Sequence, residues 1–504
     1  MRDTLFHLNR RPNVSIQSQI REMLVAAILG GQLPLGEPLP SCRKMAKTLK
    51  VSRNTVVLAY QGLADDGYLK SRERSGFYVD SEILEGHALP PDAGAAAKST
   101  DAADPPDASK HAPDWHSLFR TRPSVLQHNL KPADWMSYPY PFIYGQVDPN
   151  LFPIAAWREC TRQALGTKGM ADWTADTLGA DDPILIEQIR TRLLPRRGIL
   201  AEADQILITL GAQNAISLLA DLLVGADTTI AIEDPGYPDM RNIFSLKTQH
   251  LKAIAVDEDG LPVDHRLDDC DLVYVTPSHQ HPTTATMPLK RRLALLERAV
   301  EKNFLIIEDD YEPEANYLGE PTPALKSLDS NDRVLYIGSL SKSLFPGLRI
   351  GYLVGPRELI AEAQALRQLM MRHPPTNNQR TTALFLSLGH HDTMVHRLHR
   401  AYRARWEMMG QALSKYLPDS ARNPTFGGTS YWVKGPDDLN AANLAHEAIG
   451  KGVVIEPGRI NFMAKDAPEN YFRLGFSSLP LEKIEPGIKL LARLIGHQGA
   501  GSAK

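Results

Sequence analysis

The sequence lacks long apolar runs and paired cysteines. No segment approaches the roughly 18 uninterrupted apolar residues of a membrane helix, and the opening MRDTLFHLNRRPN lacks the apolar core of a signal peptide. The cysteines, Cys42, Cys160 and Cys270, form no CxxC pair, which argues against a disulfide framework and a zinc site. With 504 residues, 43% hydrophobic and 23% charged, we expect a cytoplasmic, metal-free protein of two or three globular units.

One stretch is poor in everything that builds a core. Residues 85–114, EGHALPPDAGAAAKSTDAADPPDASKHAPD, contain nine Ala, five Pro and five Asp but one Leu and no aromatic residue. Such a composition cannot bury enough apolar surface to offset the entropy lost on ordering. We therefore predict an N-terminal module over residues 12–80, a flexible linker over 81–115 and a large domain over 116–498.

The two ends of the chain differ in charge. Residues 1–80 contain twelve Lys and Arg against seven Asp and Glu, a net charge of +5. The remainder has 44 basic and 52 acidic residues, a net charge of −8. A small basic module suits a nucleic-acid contact, because phosphates must be neutralised locally. A chance imbalance would give the same difference, so charge alone leaves both explanations open.

The N-terminal module has the pattern of a winged helix-turn-helix. Apolar residues at spacings of three and four, and serines placed as N-caps, predict helices over residues 16–29, 41–49 and 52–65. Residues 68–79, YLKSRERSGFYV, then predict two short strands around a glycine-containing tip, which form the wing.

Polar and basic residues mark the surface of this module that would contact DNA. The third helix of such a motif enters the major groove, and its first turn here is SRNT. Arginine and asparagine read guanine and adenine, while hydroxyls suit phosphate oxygens. The predicted DNA-binding residues are Arg43, Ser52, Arg53, Asn54, Thr55, Arg72 and Arg74. The alternative is that they are solvated surface residues of a small helical bundle.

These residues carry a family resemblance. The run LPSCRKMAKTLKVSRNTVVLAYQGLADDGYLKSRERSGFYV resembles the DNA-binding domain of the GntR family of bacterial transcription regulators. Cys42 stands where the family usually has Ser or Thr, a change that should weaken one phosphate contact. The resemblance implies double-stranded operator DNA as a partner.

The large domain alternates strand-like apolar runs with helical stretches, the pattern of an α/β fold with a mostly parallel sheet. The predicted strands cover residues 206–210, 230–232, 272–275, 304–307 and 335–337. The segments that follow them are GAQN, EDPGY, TPSHQHP, EDDY and GSLSK. Because ligand crevices form at the carboxyl ends of such strands, we expect these polar residues to share one site.

Those residue types are the ones that pyridoxal phosphate requires: a lysine for the Schiff base, a carboxylate for the pyridine nitrogen, phosphate donors and an aromatic surface. Asp309 and Tyr311 are two apart on an extended strand end and point to the same side. Lys342 lies seven residues before Arg349, so a turn can return the guanidinium to the phosphate. The spacing of Ser339 and Lys342 also matches penicillin-binding proteins, but the companion motifs S-D-N and K-T-G do not occur in this sequence.

Taken together, the two parts resemble the MocR subfamily of GntR regulators, in which the DNA-binding domain is fused to a fold-type I aminotransferase-like domain. The resemblance implies a Schiff base at Lys342, a contact of Asp309 with the pyridine nitrogen and one of Tyr311 with the ring hydroxyl. Also implied are Tyr237 stacked on the ring, phosphate contacts from Ala212, Gln213, Ser339 and Arg349, and Arg473 on an effector carboxylate.

One turn departs from the enzymes of that fold. Classical aminotransferases fix the ring hydroxyl with an Asn-Pro-x-Gly turn, where this chain has His281-Pro282-Thr283-Thr284. We place His281 at the cofactor on that correspondence and do not expect efficient transamination.

The functional prediction is a transcription regulator, acting as a head-to-tail homodimer, that senses an amine or amino acid by forming an external aldimine. One alternative is a working aminotransferase that carries a DNA-binding domain. Another is a DNA-binding protein with a cofactor-free body, against which the intact set of cofactor residues argues. Effectors in the family include γ-aminobutyrate, taurine, compatible-solute breakdown products and B6 vitamers, and Arg473 indicates only an acidic group.

Overall fold

The computed structural model describes residues 6–8, 10–12, 14–72, 75–84, 113–129, 131–174, 179–318, 322–418, 420 and 427–501. Most of the predicted linker, residues 85–112, lies outside these ranges, as does Arg74. The chain divides into two compact units, Met1–Leu118 and Phe119–Lys504.

The first unit is a winged helix-turn-helix, as predicted. Its elements are α1 (Ile16–Leu29), α2 (Cys42–Leu49), α3 (Arg53–Asp65), β1 (Leu69–Arg72), β2 (Gly76–Val79) and the short α4 (Trp115–Leu118). Serine side chains cap the first three helices, because the Oγ atoms of Ser15, Ser41 and Ser52 each accept a backbone N–H from the first turn. Apolar faces of the helices pack into one core with the antiparallel wing.

The second unit contains the remaining helices and strands. Its helices are α5 (Ile154–Ala164), α6 (Thr167–Thr174), α7 (Pro183–Gln188), α8 (Ala212–Leu223), α9 (Pro238–Ser245), α10 (Leu289–Lys302), α11 (Leu325–Leu328), α12 (Arg357–Met371), α13 (Thr376–Ser387), α14 (His390–Tyr416), α15 (Ala441–Ile449) and α16 (Leu481–Gly501). Its strands are β3 (Tyr140–Pro141), β4 (Ile206–Thr209), β5 (Ile230–Asp234), β6 (Leu251–Ala255), β7 (Leu272–Val275), β8 (Leu305–Asp310), β9 (Val334–Ser339), β10 (Gly351–Val354), β11 (Ser430–Lys434), β12 (Val453–Val454), β13 (Glu456–Pro457) and β14 (Tyr471–Gly475). No helix in the described ranges is both long enough and apolar enough to cross a membrane.

The main sheet has the order β4-β10-β9-β8-β7-β5-β6. Strands β5 to β9 pair in parallel, whereas β10 runs antiparallel to both of its neighbours. Helices α8 and α12 pack on one face and α10 on the other, so the central strands are buried on both sides. The predicted mostly parallel α/β sheet is therefore confirmed, and β6 and β10 are additions that the sequence analysis did not contain.

A smaller antiparallel sheet lies toward the C-terminal end of the chain. Its order is β11-β14-β13, and it packs with α14, α15 and α16 around an apolar cluster that includes Phe472 and Leu474. The middle strand, β14, carries Arg473, and the register places Glu456 of β13 directly opposite that arginine. This sheet therefore brings two charged side chains, of opposite sign, next to each other.

Candidate functional site

A cavity of about 150 Å³ lies at the carboxyl ends of the parallel strands, lined by residues that end or follow β5, β7, β8 and β9. Its wall includes every residue predicted to bind the cofactor. They are Ala212, Gln213, Tyr237, His281, Asp309, Tyr311, Ser339, Lys342 and Arg349. The structure thus brings these residues together, and their individual contacts with a cofactor stay predictions.

Lys342 follows β9 and faces a loop from a distant part of the chain. Its Nζ lies 4.3 Å from the centre of the Tyr144 ring. A Cβ atom on Gly145 would lie only 2.3 Å from this Nζ, and Gly145 has a φ of +74°, so glycine is the residue that fits there. Burial lowers the pKa of Lys342 to about 8. A substantial neutral fraction near pH 7 to 8 makes this amine a competent nucleophile.

Asp309 presents an unpartnered carboxylate oxygen. It is 4% exposed, and its Oδ2 accepts a hydrogen bond from the Tyr274 hydroxyl at 2.6 Å. No described residue donates to Oδ1, although this atom is buried. Burial raises the pKa of Asp309 to about 6. A buried acceptor without a donor, in the wall of a cavity, fits a protonated ring nitrogen of a bound group.

The start of α8 forms an anion-binding end of the cavity. Gly211, with a φ of +80°, precedes the helix, and within the described residues no side chain caps its first turn. Arg349 lies beside this turn, because a Cβ on Gly211 would come within 3.1 Å of its Nη2. A Cβ on Gly351 would lie 2.8 Å from the Cα of Gly211, so two glycines permit this close backbone approach. Free N–H groups and a guanidinium together suit a phosphate.

Asp239 organises the aromatic side of the cavity. Its Oδ2 accepts hydrogen bonds from Gln213 Nε2 at 2.7 Å and from the Tyr237 hydroxyl at 3.2 Å. The ring of His281 lies 5.3 Å from that of Tyr237. The Tyr311 hydroxyl donates to the carbonyl of His279 at 2.5 Å, which leaves its oxygen able to accept a further bond. Asp239 was not among the predicted residues, although it lies two residues after Tyr237.

Arg473 lies beside the cavity. Its Cζ is 3.9 Å from the centre of the Tyr144 ring, and its Nη1 lies 3.3 Å from both ring nitrogens of His281. Burial and the positive charges of Arg473 and Lys342 hold the pKa of His281 well below its ordinary value, so this imidazole is neutral. Nε and Nη2 of Arg473 both lie 2.9 Å from Oε2 of Glu456.

Five further residues line the cavity and were not predicted: Tyr144, Tyr274, Thr276, Ser341 and Pro346. Tyr274 and Thr276 belong to the end of a predicted strand, so the strand-end rule extends to them. Tyr144 precedes β4 by more than sixty residues and has no local signal.

In the first unit, the predicted DNA-binding residues fall into two groups. Arg43, Arg53 and Asn54 are exposed on α2 and the first turn of α3. Ser52 and Thr55 instead bond each other, with Ser52 Oγ accepting from the Thr55 N–H at 3.1 Å and the two hydroxyl oxygens 2.7 Å apart. These two hydroxyls therefore cap the helix.

On the wing, the guanidinium of Arg72 lies 4.5 Å from the centre of the Tyr78 ring, and the side chain is exposed. The predicted contact of Arg74 falls outside the described residues.

Comparison with known proteins identifies both units. Residues 16–79 match the model of bacterial regulatory proteins of the gntR family, and residues 150–491 match that of aminotransferase class I and II. The chain is 43% identical over 481 residues to the HTH-type transcriptional regulator TauR of Rhodobacter capsulatus, covering 95% of this chain and 96% of TauR. It is 30% identical to the probable rhizopine catabolism regulatory protein MocR of Rhizobium meliloti, covering 96% and 94% of the two chains. The chain belongs to the MocR-type GntR regulators.

The large unit of this MocR-type regulator shares its fold with enzymes. The crystal structure of Pyrococcus horikoshii kynurenine aminotransferase matches with a TM-score of 0.69 at 26% identity, covering 76% of this chain and 98% of the enzyme. The predicted fold-type I domain is thereby confirmed. This MocR-type regulator is a transcriptional regulator whose C-terminal domain belongs to a family that normally binds pyridoxal phosphate.

The depressed pKa of Lys342 predicts pH-selective chemistry. Reductive methylation of the cofactor-free protein should modify Lys342 increasingly as the pH rises through about 8, because the neutral amine is the reacting form. Lys252 is the matched control, since Asp269 raises the pKa of that lysine above its ordinary value. Peptide mass spectrometry across pH 6 to 10 measures both. Equal pH profiles at the two lysines would contradict the assigned environment.

Proposed function

We propose that this regulator binds pyridoxal phosphate at Lys342 and alters its operator binding when an amine bearing an acidic group takes the place of the lysine. When bound, the cofactor supplies an aldehyde that a primary amine can take over from a lysine. The observation that carries the proposal is the buried, unpartnered Oδ1 of Asp309 in the wall that also holds Lys342.

Each part of the cavity suits one part of that cofactor. Asp309 would hold the ring nitrogen protonated, and Tyr311 would bond the ring hydroxyl. The start of α8 and the guanidinium of Arg349 would bind the phosphate, since unbonded N–H groups and a planar cation both favour an anion. Tyr237, held by Asp239, would lie against the ring.

The amine-exchange step requires a lysine that can lose and regain a proton near neutral pH. Lys342, with a pKa of about 8, meets this requirement when it is released. Arg473 supplies the means to select the incoming amine, because its guanidinium lies beside the cavity and suits an acidic group.

A working aminotransferase is the second candidate, supported by the fold shared with kynurenine aminotransferase and by the complete set of cofactor residues. Two observations favour the sensor. The matched relatives over nearly the whole chain are named as regulators, and the Asn-Pro-x-Gly turn of the enzymes is replaced by one that begins at His281, which is neutral here.

We also propose that the regulator acts as a head-to-tail homodimer. Large apolar side chains are exposed on the second unit, notably Leu200 at 90% and Leu369 at 86%. Exposed apolar surface of this kind favours burial against another protein surface. A dimer would present two DNA-binding modules to a repeated or inverted operator.

The cofactor assignment predicts a covalent label. Purified protein incubated with pyridoxal phosphate and reduced with borohydride should carry the label on Lys342, and Lys342→Ala should lose it while keeping effector-free operator affinity. Lys252→Ala, a change at an exposed lysine of the same unit, should keep the label. Mass spectrometry of the reduced peptides and gel shifts measure both properties. A label on another lysine would refute the site assignment.

The DNA assignment predicts that base and phosphate contacts behave differently. Arg53→Ala should reduce operator affinity by about 1–3 kcal/mol and relax specificity at one position, as expected for a base contact. Arg72→Ala should weaken binding equally for all sequences and flatten the salt dependence. Arg397→Ala, an exposed arginine on α14, serves as the control. Unchanged affinity in both module variants would show that another surface binds DNA.

A further inference from the structure

Arg473 is already paired with a carboxylate of its own chain. Glu456 and Arg473 are cross-strand partners on β13 and β14, and Nε and Nη2 of the arginine both contact Glu456 Oε2 at 2.9 Å. The side chains are 13% and 4% exposed, respectively. The ion pair is therefore built into the small sheet, beside the cavity.

This pairing has a physical reason in the protein without effector. A buried guanidinium without a counter-ion costs several kcal/mol, and the other groups against Arg473 supply no negative charge. They are the ring of Tyr144, the neutral His281 and, farther away, the cationic Lys342. Glu456 also favours the protonated form of Lys342, so its charge acts within the cavity.

The same pairing occupies part of the group that would bind an effector. Nε and Nη2 form one of the two edges through which a guanidinium holds a carboxylate with parallel hydrogen bonds. A ligand acid would meet an arginine whose charge is largely cancelled and whose Nε–Nη2 edge is engaged. It must displace Glu456 or bind the remaining edge close to a second anion, and either arrangement lowers its affinity.

We infer that Glu456 is a specificity-determining residue that competes with the acidic group of the effector for Arg473. The inference rests on the proposed function. It means that Glu456 sets how strongly the site prefers an acid-bearing amine over a plain amine. A plain amine leaves the ion pair intact, so only the acid-bearing ligand has to overcome the competition.

The surroundings of the two residues indicate that Glu456 is the partner that gives way. It lies on a strand of two residues at the edge of the small sheet, and it is the more exposed of the pair. Arg473 lies on the middle strand, against Tyr144 and His281. An edge side chain with access to water can leave at lower cost than a guanidinium enclosed on several sides.

The test compares matched ligands on full-length protein loaded with pyridoxal phosphate. Calorimetry gives dissociation constants for 4-aminobutanoate against propylamine and for taurine against ethylamine, pairs that differ only by the acidic group. In Glu456→Gln, the ratio of acid-bearing to plain-amine affinity should rise about tenfold or more, because one nearby negative charge is removed. The affinity for the plain amines should stay unchanged.

Two further variants control the experiment. Glu407→Gln removes a carboxylate from an exposed ion pair with Arg403 on α14 and should leave the ratio as in the wild type. Glu456→Asp keeps the charge one methylene farther from Arg473 and should raise the ratio less than the glutamine does. If Glu456→Gln fails to fold or to bind the cofactor, the aspartate variant decides.

The sign of the change in ratio separates competition from positioning. An unchanged ratio would overturn the inference and leave Glu456 as a counter-ion only. A lowered ratio would also overturn it, since Glu456 would then hold Arg473 in place for the ligand. A wild-type protein that binds no member of either pair would instead contradict the proposed function itself.

Discussion

The parallel pairing of β5, β7, β8 and β9 is the constraint on which the rest of the site depends. Because these strands run in one direction, the residues that follow each of them arrive at one edge of the sheet. The register sets Tyr274 beside Ile307 and Asp309 beside Ile337, which lets the Tyr274 hydroxyl reach the Asp309 carboxylate. A slip of one residue would turn these side chains to the opposite face, and burial of both faces prevents it.

The enclosed cavity has opposite effects on its acid and its base. Burial lowers the pKa of Lys342 to about 8 and raises that of Asp309 to about 6, because both charged forms are poorly solvated there. A group that bonds covalently to the lysine and offers a proton to the carboxylate relieves both penalties. The fit to pyridoxal phosphate thus follows from desolvation as well as from the positions of the residues.

The sequence analysis succeeded where a functional residue follows a recognisable strand. Lys342, Asp309 and Tyr237 each come directly after an apolar run, so one rule about strand ends found them. The orientation of β10 could not be found in this way, since a short buried strand has the same apolar pattern in either direction. Periodicity indicates burial, not direction.

Residues brought in by distant packing were beyond such rules. Tyr144 reaches the cavity through a backbone contact in which a Cβ on Gly475 would lie 2.4 Å from the carbonyl carbon of Ile143. The partner of Arg473 lies on a strand of two residues, too short to leave a pattern. Both depend on contacts between segments far apart in the chain, which no local window contains.

Since one fold serves both enzymes and regulators, the site alone does not separate the two. The most direct test measures operator affinity and keto-acid formation in the same sample, with an acid-bearing amine that the protein binds. This account predicts a change in operator affinity with little turnover, and in Arg473→Ala the loss of that change with effector-free operator binding retained. Rapid multiple-turnover formation of keto-acid, with operator affinity unaffected by the amine, would contradict it.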